Sequence, residues 1–302
     1  MAKQLLGILI GLVLLGILFG LLQRRWPAVV GLRRSRSELA TDLVYWLLTP
    51  LLTKPLTRIV VGSALLPLPF LLQRPVDRAG LLHGFGPAAR MPVALQVLAI
   101  IVLGDLIGYW THRAFHCRQL WRFHAVHHAA RELTWLSATR LHPLNDAVSR
   151  LAQALPFVLL GFAPMVVAAY VPLLTLHALL LHANLRWDFG PLRLVISSPA
   201  FHRWHHADEP AARDRNFAGL LPLWDRLFGT LYLPVGQHPQ SFGVNEEVPN
   251  GVLAQWLYPF RSRPSAISAT PPRITAIATR SNACTASPPN NAPTSTATGG
   301  FT

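Results

Sequence analysis

Charge is scarce in this chain of 302 residues. Asp, Glu, Lys and Arg together make up 13%, where soluble globular chains carry about 25%. Acidic residues are scarcest, 13 against 27 basic ones, and lysine occurs only at Lys3 and Lys54. A net charge of +14 would suggest nucleic acid in a soluble protein. No basic helix or RNA-type aromatic motif appears, however, and the arginines sit between apolar runs, as in loops beside anionic lipid. Nucleic acid is therefore excluded as a partner. Two cysteines are too few for a disulfide framework. Glycine-rich nucleotide fingerprints, haem-attachment motifs and cysteine clusters are also missing, so redox chemistry would need electrons from a separate donor.

What the chain does have is apolar length. Residues 4–22 are uncharged and long enough to cross a bilayer. The segment is read as an anchor and not a cleaved leader, because no small-residue cleavage site follows it. Arg24, Arg25, Arg33, Arg34 and Arg36 follow, which places that end in the cytoplasm. Residues 39–72 read as an imperfect crossing interrupted by Pro50, Lys54, Pro55 and Arg58, and residues 91–111 as a third segment. Residues 151–183 are broken at Gly161–Pro164. They predict a hairpin of two helices of about 16 residues, each about 24 Å long and short of a full crossing. The expected organisation is an anchor and basic loop (1–38), a second membrane segment and loop (39–90), a histidine-rich domain (91–261) and a disordered Ser/Thr/Pro/Ala-rich tail (262–302). The fold class is all-α: an integral membrane helical bundle with a histidine-rich cap on its cytoplasmic face.

Nine of the thirteen histidines fall into four groups: His112 and His116; His124, His127 and His128; His182; and His202, His205 and His206. Residues at i, i+3 and i+4 share one face of a helix. Two His-x-x-His-His triplets without a metal would be packed imidazoles needing many hydrogen-bond partners when neutral and repelling when protonated. A metal accepts the lone pairs and removes both problems. Four nitrogens suffice for one zinc, so this number implies two metals. Imidazole suits iron, zinc, copper and nickel alike. Asp105, Tyr109, His112 and His116 form one helical stripe. A carboxylate inside an apolar span is costly, and Asp105 is expected to accept the ring N–H of a ligating histidine. Arg140, His142 and Asn145, in "TRLHPLND", are expected to line the site, with the proline after His142 marking a turn or helix start. Arg118, Arg122 and Arg203 offer a docking face for an acidic electron donor.

The stretches "DLIGYWTHRAFH", "LWRFHAVHH", "TRLHP", "LHANLRW", "SPAFHRWHHADE" and "RNFAGLLPLWDRLFGTLYLP" resemble the fatty acid hydroxylase superfamily, and more closely its sterol desaturase-like bacterial members. The resemblance covers roughly residues 95–235. It implies an integral oxygenase of the bacterial inner membrane, with two irons held by the nine histidines above, or zinc in the isolated protein. It also implies O2 as co-substrate, an external ferredoxin- or cytochrome-type donor, and hydroxylation or desaturation of a lipid-like substrate. Asn184 follows the intermediate histidine of the family. Where some members carry a tenth histidine, this chain has Arg186. Where members often show Asn-Tyr-Gly, it has Asn216-Phe217-Ala218, which keeps the asparagine and loses the tyrosine hydroxyl. Asp225, in "WDRLFGT", is expected to orient a ligand. Two other functions remain open from the residues alone: a zinc-dependent membrane hydrolase or isomerase, and a non-enzymatic metal-binding membrane protein.

Overall fold

The computed structural model describes residues 2–67, 70, 83–239 and 241–261. The expected tail at 262–302 lies outside them. Among the described residues the chain is helical, with isolated bridges (Pro27–Leu185 and Ala207–Phe242) and no β-strands.

Helix α1 (Ala2–Arg25) is apolar along its length and ends in Arg24 and Arg25. Leu6, Val13, Leu14, Ile17 and Leu21 are exposed and only Phe19 is buried, the pattern of a helix whose solvent is lipid. Phe19 stacks on Trp135 at 5.3 Å. Helix α2 (Arg36–Leu48) starts at Ser35, whose side chain accepts the Glu38 N–H. It runs through a π-helical turn (Thr49–Thr53) into α3 (Lys54–Leu65). Pro50 and Pro55 interrupt the regular hydrogen-bond ladder here, and the π-turn carries the helix past them. The expected second crossing is thus one broken rod.

Helix α4 (Val93–Phe115) buries Gln96, Ile100, Gly104, Asp105, Tyr109 and Arg113 along one face. Helix α5 (Arg118–His128) follows after a sharp turn. Helix α6 (Pro143–Leu159) and helix α7 (Pro164–His182) form the expected hairpin. Its tip packs on the chain before α4: Phe85 and Gly86 N–H both donate to the Gly161 carbonyl, and Gly161 has φ +73°. A Cβ at Gly86 would lie 2.3 Å from the Leu160 carbonyl oxygen, so this crossing needs glycine. Helices α1, α4 and α7 are long and apolar enough to cross a membrane. The hairpin expectation is corrected in one respect. Helix α7 has 19 residues, about 28 Å, which is a near-full crossing. The short helices α8 (Pro199–His205), α9 (Leu223–Leu227) and α10 (Val252–Leu257) complete the chain.

Alternating passes bring the C-terminal ends of α1, α4 and α7 to the same end as the N-terminal ends of α2 and α6. Arg186 N–H donates to Trp26 O, and Ser35 N–H donates to Glu132. The hairpin tip lies at the opposite end. Helices α5 and α8 cap the first end.

Candidate metal centre

The cap collects all nine histidines from four helices. His112 sits in the last turn of α4 and His116 is its C-cap, while α5 presents His124, His127 and His128. His182 closes α7. Helix α8, capped by Ser198 and begun by Pro199, presents His202 and His205, with His206 at its C-cap. Eight of the nine are buried and His112 is half-buried.

They separate into two groups, each with one nitrogen per ring within 4.8 Å of every other: His112, His116, His124, His128 and His205; and His127, His182, His202 and His206. Helical spacing decides the split. Within α5, His124 and His128 share a face and His127 turns to the second group. Within α8, His205 joins the first group while His202 and His206 join the second.

Ring tautomers follow from the outer partners, because a carbonyl oxygen can only accept. In the five-histidine group, Nδ1–H donates from His112 to Phe217 O (2.8 Å), from His205 to Arg215 O (2.7 Å), from His124 to Asn145 Oδ1 (2.8 Å) and from His116 to Asp214 Oδ1 (3.0 Å). In the four-histidine group, His127 donates to Arg140 O (3.0 Å) and His182 to Ala178 O (2.8 Å). Each Nε2 of these rings is therefore a bare lone pair. Yet His112 Nε2 lies 3.0 Å from His124 Nε2, and His182 Nε2 lies 3.1 Å from His127 Nε2. Lone pairs facing each other at hydrogen-bond distance, with no proton between them, fit an electrophile bound by both. The buried Nε2 atoms of His128 and His205 have no hydrogen-bond partner among the described residues. Protonation offers no escape, since burial pushes His124, His127, His128, His202, His205 and His206 well below the ordinary histidine range, and neighbouring imidazoles add to the effect. The donor set fits one metal ion per group.

The outer residues divide. Asn145 accepts from His124, and Arg140 accepts from His127 through its carbonyl. Asp105 does not accept a ring N–H. Its carboxylate takes the N–H groups of Leu220 (2.8 Å) and Leu221 (2.7 Å), because seven residues of helix put it about 10 Å along the axis from His112. Asp225 accepts from Phe217 N, Ala218 N and Thr230 Oγ1, and burial raises it to about 6. It reaches His112 indirectly, by pinning the residue whose carbonyl holds that ring. Tyr109 shares a hydrogen bond with Thr230 at 2.9 Å. His142 does not line the metal groups: it caps α6, accepting Leu144 N–H, and its Nε2–H donates to Trp256 O. Asn184 exchanges two hydrogen bonds with Val29. Asn216 donates to Phe201 O and Tyr232 O, and accepts from Tyr232 N. The docking face also needs correction. Arg203 is buried against Phe242, and Arg122 donates to Pro259 O, so of the three only Arg118 is exposed.

Sequence reading missed Asp214, Arg215 and the Phe217 carbonyl. Four consecutive residues, 214–217, hold three rings of the five-histidine group. The loop manages this with positive φ at Asp214 (+55°) and Asn216 (+58°), a backbone form that Asp and Asn tolerate. A cavity of about 40 Å³ lies beside this group, lined by His116, His128 and His205 with Asp208, Arg213 and Asp214 among others.

Comparison with known proteins agrees with this geometry. A family model described as fatty acid hydroxylase matches residues 97–230. The ornithine lipid hydroxylase of Rhizobium tropici is 35% identical over 171 residues, covering 56% of this chain and 51% of that protein. Alkylglycerol monooxygenases of Danio rerio and Homo sapiens are 36% and 32% identical over 127 residues, covering 42% of this chain and 28% of each relative. The chain thus spans about half, or less, of the length of the curated relatives it matches. No solved structure matches it. Residues 97–230 thus match the fatty acid hydroxylase family in sequence, and that segment carries the histidine cluster of this helical chain.

Proposed function

We propose that the chain is a membrane-bound oxygenase that hydroxylates a lipid-like substrate with O2 and two irons. His112, His116, His124, His128 and His205 would hold one metal, and His127, His182, His202 and His206 the other. The facing Nε2 lone pairs carry this reading. Imidazole ligation by itself suits several metals. Iron and hydroxylation are favoured because the relatives are named hydroxylase and monooxygenase. Bound and reduced, an iron pair would supply O2 activation for attack on an unactivated C–H bond, chemistry no side chain provides. The chain's own residues orient the rings through Asn145, Asp214 and the carbonyls of Ala178, Arg140, Arg215 and Phe217. Burial keeps the rings neutral and able to ligate.

The hydroxylase domain is taken as residues 91–261, wider than the matched segment because Trp256 O holds His142. The arginines after α1 support placing the cap on the cytoplasmic side of a bacterial inner membrane. An external ferredoxin- or cytochrome-type donor would supply electrons, with Arg118 in its docking face. The test is metal content, lipid-dependent O2 uptake and gain of one oxygen in a lipid product, using protein purified and reconstituted with Fe(II). Two irons per chain with uptake are expected. Stoichiometric zinc with no uptake after iron reconstitution overturns the oxygenase reading in favour of zinc-dependent hydrolysis.

A further inference from the structure

The family match begins at residue 97, but the α2–α3 rod before it packs on residues 140–146, which hold one ring of each histidine group. Glu38, Thr41, Asp42 and Tyr45 are buried in the i, i+3, i+4, i+7 pattern of one face. An unbroken α-helix would continue that face at 49, 52 and 56. The buried residues are instead Thr53, which ends the π-turn, and Thr57 in α3. The face has advanced by one position, as expected of the single extra residue a π-turn inserts.

That advance lets one rod grip both ends of residues 140–146. At one end the buried Arg140 guanidinium donates to the carboxylates of Asp42 and Glu38, and to Glu38 O at 3.1 Å. The Arg140 carbonyl holds His127, of the four-histidine group. At the other end Asp146 accepts from Lys54 Nζ (2.7 Å) and Thr57 Oγ1 (2.7 Å). The adjacent Asn145 holds His124, of the five-histidine group. A chain with thirteen acidic residues and two lysines thus commits three of the former and one of the latter to this segment. Arg140, Asp42 and Asp146 are buried, so losing one partner leaves the remaining charge less well compensated.

We propose that the rod is a positioning element of the metal centre. Glu38 and Asp42 set the four-histidine group through Arg140, and Lys54 and Thr57 set the five-histidine group through Asp146 and Asn145. This rests on the metal reading above.

The test uses the full chain, loaded with Fe(II), and measures metal per chain and its retention against a chelator. Loss of an outer hydrogen-bond partner typically weakens metal binding about 10–100-fold, so about tenfold is expected one step further out. In Asp42→Asn one metal should loosen by that factor. Adding His202→Ala should then weaken that same metal further and leave the other unchanged, while adding His205→Ala should loosen the second metal as well. Lys54→Met should give the mirror result, and Lys54→Arg should retain both metals. Thr57→Val, which keeps every charge, should loosen the five-histidine group alone by a few-fold and serves if the charge variants fail to fold. A parent with two metals, and folded variants that keep both or loosen both equally, overturns this inference alone. A parent that cannot hold two metals overturns the metal reading first.

Discussion

The two histidine groups share helices α5 and α8, with α4 added to one and α7 to the other, yet they are anchored differently. In the five-histidine group, four rings donate Nδ1–H to an outer acceptor, and three of those acceptors come from residues 214–217. In the four-histidine group only His127 and His182 do so. The Nδ1 atoms of His202 and His206 are buried with no protein partner among the described residues. Outer acceptors orient a ligand ring and raise its basicity, so the first group is preorganised and the second is held mainly by two rings. The cavity belongs to the first group as well, with room for about two or three waters and no lining residue from the second. Ligand number, anchoring and access all distinguish sites only a few ångströms apart.

The largest effect should come from deleting a ring. His182→Ala leaves the second group three nitrogens, and we expect loss of one metal and a fall in hydroxylation of more than about 100-fold, beyond the range of outer partners. His116→Ala leaves the first group four nitrogens, enough for one metal, and should be milder. Equal metal loss in the two variants would break the comparison.

Chelation should follow the same order. One metal should leave at least about tenfold faster than the other, and His205→Ala should make the slow phase fast. A single release rate would contradict unequal anchoring.

Asn145→Leu removes the acceptor of His124 without disturbing the second group. Metal analysis should show about 10–100-fold weaker retention at one site. Asp214→Asn keeps an acceptor oxygen for His116 and loses only charge, so a smaller effect, under about tenfold, is expected at that site.

Acid should affect both groups in the metal-free chain. The six cap rings outside the spans titrate near 6.5 when unfolded and well below it when folded. The unfolded state therefore binds more protons, and stability falls as pH drops below about 6.5. Thermal unfolding of chelated protein at pH 8 and pH 5.5 reads this directly, with the lower midpoint expected at pH 5.5.

How much was legible beforehand differs between residues for a physical reason. The nine histidines could be found because helical periodicity puts i, i+3 and i+4 on one face. Asn145 and Arg140 were singled out through their neighbourhood, and Arg140 meets a histidine through its backbone, while His142 caps α6 and donates to Trp256 O. Asp105 was misplaced because a stripe on a wheel ignores axial distance. Asp214 and the carbonyls of Arg215 and Phe217 left no pattern, since backbone acceptors are the same for every residue type and a left-handed turn at Asp or Asn is optional.

By itself the sequence determined that the chain is helical, that it enters a membrane, and that nine imidazoles meet at one end. Apolar run length and 3.6-residue periodicity are local properties. Tertiary structure alone decided which histidine joins which group, which carbonyl fixes each tautomer, and that a π-turn before the matched domain braces both groups. Those outcomes depend on distances between segments tens of residues apart, and only packing sets such distances.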